Sequence, residues 1–321
     1  MAYNLSERSL MKNLLRSALL CLLALSPLVA ATPTPAPAPK PPARPPATFA
    51  DLPFGPHVNQ RLDVYVPPKG SGPFPVLIWY GGIWKPARNV PDPHRFLPAG
   101  IALVAVGTRT LSDGMTDHQK EPVAYLMDDA CRAVQFVRAH AKEWNLNPDR
   151  IAVGGGSQGA LPALYVGCSV DRANPTAADP VERASSKVTC VAAYRSQPSI
   201  DPLQMQTWVP GVQWGTPALG YASFPETLKR REELLPIINR WSPDKLLRAE
   251  SAPIYFENNW GLTQPDKVSE ADYKVHSPAW SLGFQKLAEA AGTTCFVKYP
   301  DHPTEGYDDI WDFIKKRLTT R

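Results

Sequence analysis

The sequence has few cysteines and little excess of charge of either sign. Five of its 321 residues are cysteine, and 34 lysines and arginines nearly balance 30 aspartates and glutamates, for a formal net charge of +4. This balance gives no electrostatic reason to expect a nucleic-acid partner. Charged residues make up 20% and apolar residues 44%, which excludes an intrinsically disordered chain. Proline, by contrast, is abundant: its 36 residues are roughly twice the usual share.

The longest apolar run lies near the start of the chain. It covers residues 17–25, follows Arg8, Lys12 and Arg16, and is followed by small residues at 29–31. This pattern predicts a secretory signal peptide over residues 1–31 and a secreted or periplasmic protein. The run is shorter than the about 20 residues of a membrane-spanning helix, so we expect no stable membrane insertion after cleavage, although an uncleaved anchor stays open.

The next segment, residues 32–47, carries eight of the prolines. Proline has no backbone donor and cannot continue a helix, so this segment is predicted to be an extended linker. It can be a stalk or a disordered leader, and composition does not separate the two. Residues 48–321 remain as one folded domain.

Four cysteines remain after the predicted signal peptide, and their spacing matches no zinc motif. They are Cys131, Cys168, Cys190 and Cys295. An oxidising compartment permits disulfides, and we predict one between Cys168 and Cys190. Four free buried thiols are the alternative. We expect neither a metal nor an organic cofactor, and the oligomeric state is open.

Short apolar runs alternate with helical periods along the folded part. An alternating strand is predicted at 61–66, and buried parallel strands at 74–80, 101–106, 150–154, 188–193, 252–256 and 294–299. Helices are predicted at about 122–142, after Ser277-Pro278, and after Pro303. This alternation favours a single α/β domain with a mostly parallel sheet and helices on both faces.

The chemistry concentrates in the segment Gly155-Gly156-Ser157-Gln158-Gly159. It follows a predicted strand and precedes a predicted helix, which is the setting of a nucleophile elbow. Glycines are needed there because the turn is strained and crowded, and the following helix aims backbone N–H groups at a developing oxyanion. Ser157 is the predicted nucleophile. The N–H groups of Gln158, Gly82 and Ile83 are the predicted oxyanion donors, the latter two after the strand that ends at Tyr80.

The catalytic base must be one of six histidines. His302 follows the last predicted strand, so it should emerge at the sheet edge where Ser157 lies; His276 is the second candidate. The acid should lie between serine and histidine in chain order. We predict Asp272, with Asp266, Glu257 and Glu270 as alternatives.

These segments resemble the α/β-hydrolase superfamily, in particular secreted bacterial esterases similar to feruloyl esterases, acetyl xylan esterases and hormone-sensitive-lipase-like carboxylesterases. The resemblance covers residues 60–318 and includes Arg109, His302 and the segments 80–84, 147–159 and 272–275. The chain departs from the family pattern in three places. Tyr80 replaces the usual histidine, Ile83 replaces a glycine, and residues 258–271 look like an insertion before the acid.

The resemblance implies a serine carboxylesterase with a Ser157–His302–Asp272 acyl-enzyme mechanism. Its substrate would be a small or polysaccharide-borne ester, with Trp84, Trp214 and Trp260 as candidate pocket residues. Two other interpretations stay open: a serine peptidase of the same fold, and a catalytically silent hydrolase-fold binding protein.

Overall fold

The computed structural model describes residues 43–117 and 120–320, and eight strands in these ranges form a single sheet. The signal-peptide prediction and most of the linker prediction lie outside the described residues. The strands are β1 Phe49–Pro53, β2 Arg61–Tyr65, β3 Phe74–Tyr80, β4 Ala102–Gly107, β5 Leu146–Gly156, β6 Cys190–Tyr194, β7 Ile254–Glu257 and β8 Cys295–Lys298.

The strand order is β1-β2-β4-β3-β5-β6-β7-β8. The pairs β1–β2 and β2–β4 are antiparallel, and all the others are parallel. β3, β5, β6, β7 and β8 therefore end at the same edge, and loops that leave this edge can meet. β5 lies near the centre of the sheet between β3 and β6, so the residue after its end is flanked by the ends of both neighbours.

Eleven α-helices lie within the described ranges. They are α1 Pro93–Phe96, α2 Leu111–Asp117, α3 Val123–Ala139, α4 Ala160–Cys168, α5 Pro180–Arg183, α6 Pro202–Trp208, α7 Phe224–Lys229, α8 Arg231–Trp241, α9 Glu270–His276, α10 Ala279–Ala290 and α11 Ile310–Thr319. None of the helices between residues 43 and 320 is long and apolar enough to cross a membrane.

Helices cover both faces of the sheet, as the sequence predicts. Buried side chains of α3, α4 and α10 pack with Val76, Ile78 and Val153 on one face. Those of α11 pack with Leu77 and Ala152 on the other. The alternation of inward positions along β3 and β5 explains this division, since neighbouring residues of a strand point to opposite faces. The predicted fold class is confirmed.

The predicted Cys168–Cys190 disulfide is wrong. Cys168 ends α4 and belongs to the core on one face of the sheet, whereas Cys190 begins β6 and belongs to the core on the other. All four cysteines in the described residues are free thiols, and burial raises the pKa of Cys168 and of Cys190 to about 12. Both thiols therefore behave as small apolar core groups.

Candidate active site

Ser157 lies in the sharp turn between β5 and α4. Its φ is 51°, in the left-handed region that residues other than glycine rarely adopt. The flanking glycines are required by space: a Cβ on Gly155 would lie 2.0 Å from the Gly159 carbonyl oxygen, and one on Gly159 would lie 2.4 Å from the Tyr80 carbonyl oxygen. The segment 155–159 therefore has the strained strand-to-helix turn of a nucleophile elbow.

His276, not His302, contacts the serine. Its Nε2 lies 2.8 Å from Ser157 Oγ. Its Nδ1 lies 2.8 Å from Asp272 Oδ1 and 3.1 Å from the Asp272 carbonyl oxygen. Because both partners of Nδ1 are acceptors, Nδ1 carries the proton, and Nε2 is left to accept from the serine hydroxyl. The serine, imidazole and carboxylate thus form a continuous hydrogen-bonded chain.

Asp272 and His276 belong to the same short helix, α9, four residues apart. This spacing places two side chains on one helix face. Ser269 caps the helix by accepting from the Asp272 N–H at 3.1 Å. The carbonyl groups at the other end are also held: Gln197 donates to that of Val275 and Asn258 to that of His276, each at 2.7 Å.

Gln197 and Asn258 follow β6 and β7, so the sheet edge itself fixes the helix end that carries the imidazole.

The prediction that His302 reaches Ser157 is wrong. The chain turns back directly after β8, where Tyr299 and His302 exchange backbone hydrogen bonds of 3.0 and 3.3 Å and Asp301 has a φ of 64°. The His302 ring stacks on Tyr299 with centroids 4.6 Å apart, and its Nδ1 lies 3.1 Å from the Val297 carbonyl oxygen. This tight turn keeps the ring against the end of β8.

Of the four candidate acids, Asp272 is the one whose carboxylate contacts a histidine ring. The Glu257 carboxylate accepts from the Ile310 N–H at 2.6 Å and so holds the start of α11. Glu270 pairs with Lys274 at 2.6 Å, and Asp266 is exposed in the loop before α9. Asp272 is itself open to solvent, with its side chain 51% exposed, whereas that of His276 is 17% exposed.

The loop after β3 lies against Gln158, the residue that follows the nucleophile. Gln158 Oε1 accepts from the N–H groups of Ile83 at 3.0 Å and of Trp84 at 3.3 Å. The Ile83 N–H is therefore already engaged in the free protein. Tyr80, which stands where the resembled family has histidine, points into the core, where its hydroxyl donates to the Ala130 carbonyl oxygen at 2.8 Å. Burial raises the pKa of Tyr80 well above its usual value.

A cavity of about 370 Å³ opens beside Ser157. Its lining includes Trp79, Trp84, Gly82 and the exposed Lys85. Among the candidate pocket residues, Trp84 is thus at the cavity. Trp214 packs edge-on against Trp84, with ring centroids 6.4 Å apart, and lines the neighbouring cavity.

Trp260, the third candidate, lies elsewhere at the site: its ring packs edge-on against that of His276 at 5.9 Å. No group of three or more potential metal ligands occurs within residues 43–117 and 120–320.

The sequence offers one signal for the histidine that contacts Ser157. Asp272 and His276 have the i, i+4 spacing of partners on a helix. Chain order predicts a base after the last strand, and His302 does lie in the loop after β8. Chain order does not predict the tight turn of this loop, which keeps the His302 ring against the end of β8.

Comparison with known proteins agrees with this architecture. Residues 62–207 match the family model described as BD-FAE. A truncated form of a carbohydrate esterase from gut microbiota has a TM-score of 0.59 and 18% identity, over 84% of this chain and 96% of that one. An acetyl ester-xyloside bifunctional hydrolase from Caldicellulosiruptor lactoaceticus has a TM-score of 0.54 and 19% identity, over 75% and 76%.

No protein of curated function matches the sequence significantly. The solved structures share less than a quarter of their residues with this chain, so their likeness shows the fold. The strand order, the elbow at Ser157 and the match over residues 62–207 lead to one conclusion. The chain has the α/β-hydrolase fold and is a serine hydrolase of the carboxylic ester hydrolase type.

Proposed function

We propose that the chain is a carboxylesterase that works through an acyl-enzyme with Ser157 as nucleophile, His276 as general base and Asp272 as the acid that orients it. The proposal rests above all on the 2.8 Å contact between Ser157 Oγ and His276 Nε2. This distance is within reach for direct proton transfer. The carboxylate on Nδ1 supports it further, because it stabilises the imidazolium that forms during the reaction.

The steps follow from this arrangement. His276 Nε2 takes the hydroxyl proton while Ser157 Oγ attacks the ester carbonyl carbon, and a tetrahedral oxyanion forms. As the intermediate collapses, the imidazolium gives its proton to the departing alcohol and leaves an acylated Ser157. A water molecule, deprotonated by the same nitrogen, then attacks the acyl group. The carboxylic acid leaves, and the serine regains its proton.

We assign the oxyanion to the backbone N–H groups of Gln158 and Gly82. Gln158 follows the nucleophile, and Gly82 borders the cavity beside it. Ile83 was also a predicted donor, but its N–H is bonded to the Gln158 side chain. We infer that this side chain is a positioning group: it holds the loop after β3 close to the nucleophile so that the Gly82 N–H is preorganised.

Replacing Gln158 with methionine tests this inference. Methionine has a similar length but lacks the amide oxygen that binds the Ile83 and Trp84 N–H groups. We expect kcat for a p-nitrophenyl ester to fall about 10-fold, with KM little changed. The loop after β3 would be held less firmly, so the Gly82 N–H would be less well preorganised for the oxyanion of the transition state. An increase in kcat would contradict the inference, since it would mean that the side chain blocks the oxyanion donors.

The Asp272 carboxylate should matter less than the other two catalytic groups. In Asp272→Asn the carbonyl oxygen of residue 272 still accepts from His276 Nδ1, and water already screens the half-exposed carboxylate. We therefore expect kcat to fall about 10²-fold, below the losses of about 10⁴-fold known for buried triad acids. Steady-state kinetics on a folded variant measure this, with Asp266→Asn as the matched control that keeps full activity. Unchanged kcat in Asp272→Asn would exclude the assignment.

We further propose that the natural substrate is an acyl ester carried on a carbohydrate, and that the protein is secreted or periplasmic. Trp79 and Trp84 give the open cavity aromatic surfaces on which a sugar ring can stack. Two of the similar structures are a carbohydrate esterase and an acetyl ester-xyloside bifunctional hydrolase, which makes acetylated xylan the first substrate to assay. Secretion rests on the composition of residues 1–31.

The first experiment combines labelling with turnover. The protein is treated with a fluorophosphonate probe, the adduct is mapped, and hydrolysis of short p-nitrophenyl esters, acetylated xylan and peptide amides is measured. We expect labelling at Ser157 and release of acetate from the esters. Labelling with turnover of peptides alone would favour a peptidase. A folded protein with neither labelling nor hydrolysis would instead be a silent member of the fold.

A further inference from the structure

Arg195 lies at the carboxyl edge of the sheet, beside the nucleophile. β5 and β6 are adjacent parallel strands, and Gly156 is paired with Tyr194. Ser157 and Arg195 are the residues that directly follow this pair, so they leave the same edge from neighbouring strands. Arg195 also has a φ of 49°. An arginine is seldom found in this left-handed conformation, and strained backbone of this kind clusters at functional sites.

The guanidinium group is held rigidly by Trp260. Arg195 Cζ lies 3.5 Å from the centroid of the Trp260 ring, which packs in turn against the ring of His276. Stacking of this kind uses the flat face of the guanidinium and leaves its edge, which carries the N–H donors, free for another group. The edge of the guanidinium is thus fixed in orientation, and the Trp260 ring lies between the guanidinium and His276, the proposed catalytic base.

This guanidinium has no anionic partner among residues 43–117 and 120–320. Its side chain makes neither a salt bridge nor a hydrogen bond there, and its Nε is buried without an acceptor. Two other partly buried arginines are paired, Arg109 with Asp129 and Arg231 with Asp201, whereas Arg317 also has a buried Nε without an acceptor. A buried donor without a partner is costly and needs an explanation. Here the missing partner is an acceptor at the sheet edge from which Ser157 and Arg195 both emerge.

Two acidic side chains on the surrounding loops, those of Glu257 and Asp272, are engaged elsewhere. The Glu257 carboxylate binds the start of α11, although the Glu257 carbonyl accepts the backbone N–H of Arg195 at 2.9 Å. The Asp272 carboxylate binds His276. Neither lies within ion-pair distance of Arg195, so the protein itself does not supply the anion.

We propose that Arg195, stacked on Trp260, forms a subsite that binds a carboxylate carried by the ester substrate. Two parallel N–H groups of a guanidinium match the two oxygens of a carboxylate. The proposal rests on the proposed esterase function and narrows its substrate class to acidic esters, such as an acyl group on a sugar acid or a half-ester of a dicarboxylic acid. The subsite is separate from the cavity lined by Trp84.

Two pairs of esters test the subsite, one with the charge on each side of the scissile bond. The acyl pair is p-nitrophenyl hemisuccinate and p-nitrophenyl butyrate; the alcohol pair is 4-acetoxybenzoate and 4-acetoxybenzamide. In at least one pair we expect Arg195→Met to lower kcat/KM for the anionic ester about 10-fold or more, while kcat/KM for the neutral ester changes little.

Arg195→Lys keeps the charge but not the paired donors, and should restore part of the loss. Lys85→Met, which removes a charge from the cavity beside Ser157, is the matched control and should leave the ratio unchanged.

Equal losses on neutral and anionic esters in both pairs would overturn the proposal, since Arg195 would then only support Trp260 and His276. The proposal would also be overturned if the preference for anionic over neutral esters survived Arg195→Met or was lost in Lys85→Met.

A binding measurement separates the subsite from the reaction. Quenching of tryptophan fluorescence by 4-acetoxybenzoate and by hemisuccinate, in a Ser157→Ala background, should weaken about 10-fold with Arg195→Met for at least one of the two anions. Unchanged binding of both anions would refute the subsite even if the protein hydrolysed no ester, whereas failure of Ser157 labelling would refute the esterase proposal alone.

Discussion

Replacing His276 with glutamine is expected to lower kcat for ester hydrolysis by at least about 10⁴-fold, because no other side chain in the described part of the chain is hydrogen-bonded to the Ser157 hydroxyl. Glutamine keeps a polar side chain of moderate size but cannot accept a proton at neutral pH. The Ser157 hydroxyl would then attack without a general base. Kinetics with p-nitrophenyl acetate measure the loss, and circular dichroism verifies that the variant is folded.

The matched control is the same substitution at His302. This ring stacks on Tyr299 and contacts the Val297 carbonyl oxygen, so glutamine there should leave kcat nearly unchanged and act, if at all, on the stability of the turn after β8. A large loss of kcat in His302→Gln, together with near-normal kcat in His276→Gln, would reverse the assignment of the base.

Replacing Ser157 with alanine should be at least as damaging. The nucleophile itself is lost, and the loss should reach about 10⁴- to 10⁶-fold in kcat, with KM for short esters little affected. A residual rate above that of water is expected, since the oxyanion donors would still bind the carbonyl oxygen.

The double variant Ser157→Ala/His276→Gln gives a sharper test than either single change. Groups that act as one unit do not contribute additively, so the double variant should be no slower than Ser157→Ala alone. A further loss of several orders of magnitude would show that the two residues act independently and would contradict the proposed chain of proton transfer.

Much of the sheet could be predicted because its strands are short, apolar and rich in branched residues. The structure has β3 at Phe74–Tyr80, the predicted bounds. β1 was missed: Phe49–Pro53 is an edge strand whose residues are mostly exposed, so it lacks the apolar pattern. β5 begins at Leu146, four residues earlier than predicted, because polar residues at its start hide the strand.

The last helix shows how capping chemistry refines a boundary. The sequence predicted a start soon after Pro303, on the evidence of three acidic residues. In the structure α11 begins at Ile310, and Asp309 is its N-cap, accepting from the Asp312 N–H at 2.8 Å. A side-chain cap, rather than a general excess of negative charge, marks the beginning of this helix.

The elbow could be predicted because its geometry is local. A strand, two glycines at fixed positions and a helix suffice to place Ser157. The contact of His276 with Ser157 could not be predicted, because the position of His276 depends on long-range contacts. Gln197 and Asn258, which follow different strands, hold the end of α9, and neither contact is visible in the local sequence. The sequence suggests an insertion at 258–271 but gives no sign that it leads into the helix that carries both Asp272 and His276.

The central claim, that His276 activates Ser157, is tested most directly by the rate at which a fluorophosphonate modifies the serine. Mass spectrometry of the adduct over time compares the wild type with His276→Gln and His302→Gln, without any assumption about the natural substrate. The wild type and His302→Gln should be labelled at similar rates, and His276→Gln far more slowly. Rapid labelling of His276→Gln beside slow labelling of His302→Gln would contradict the account.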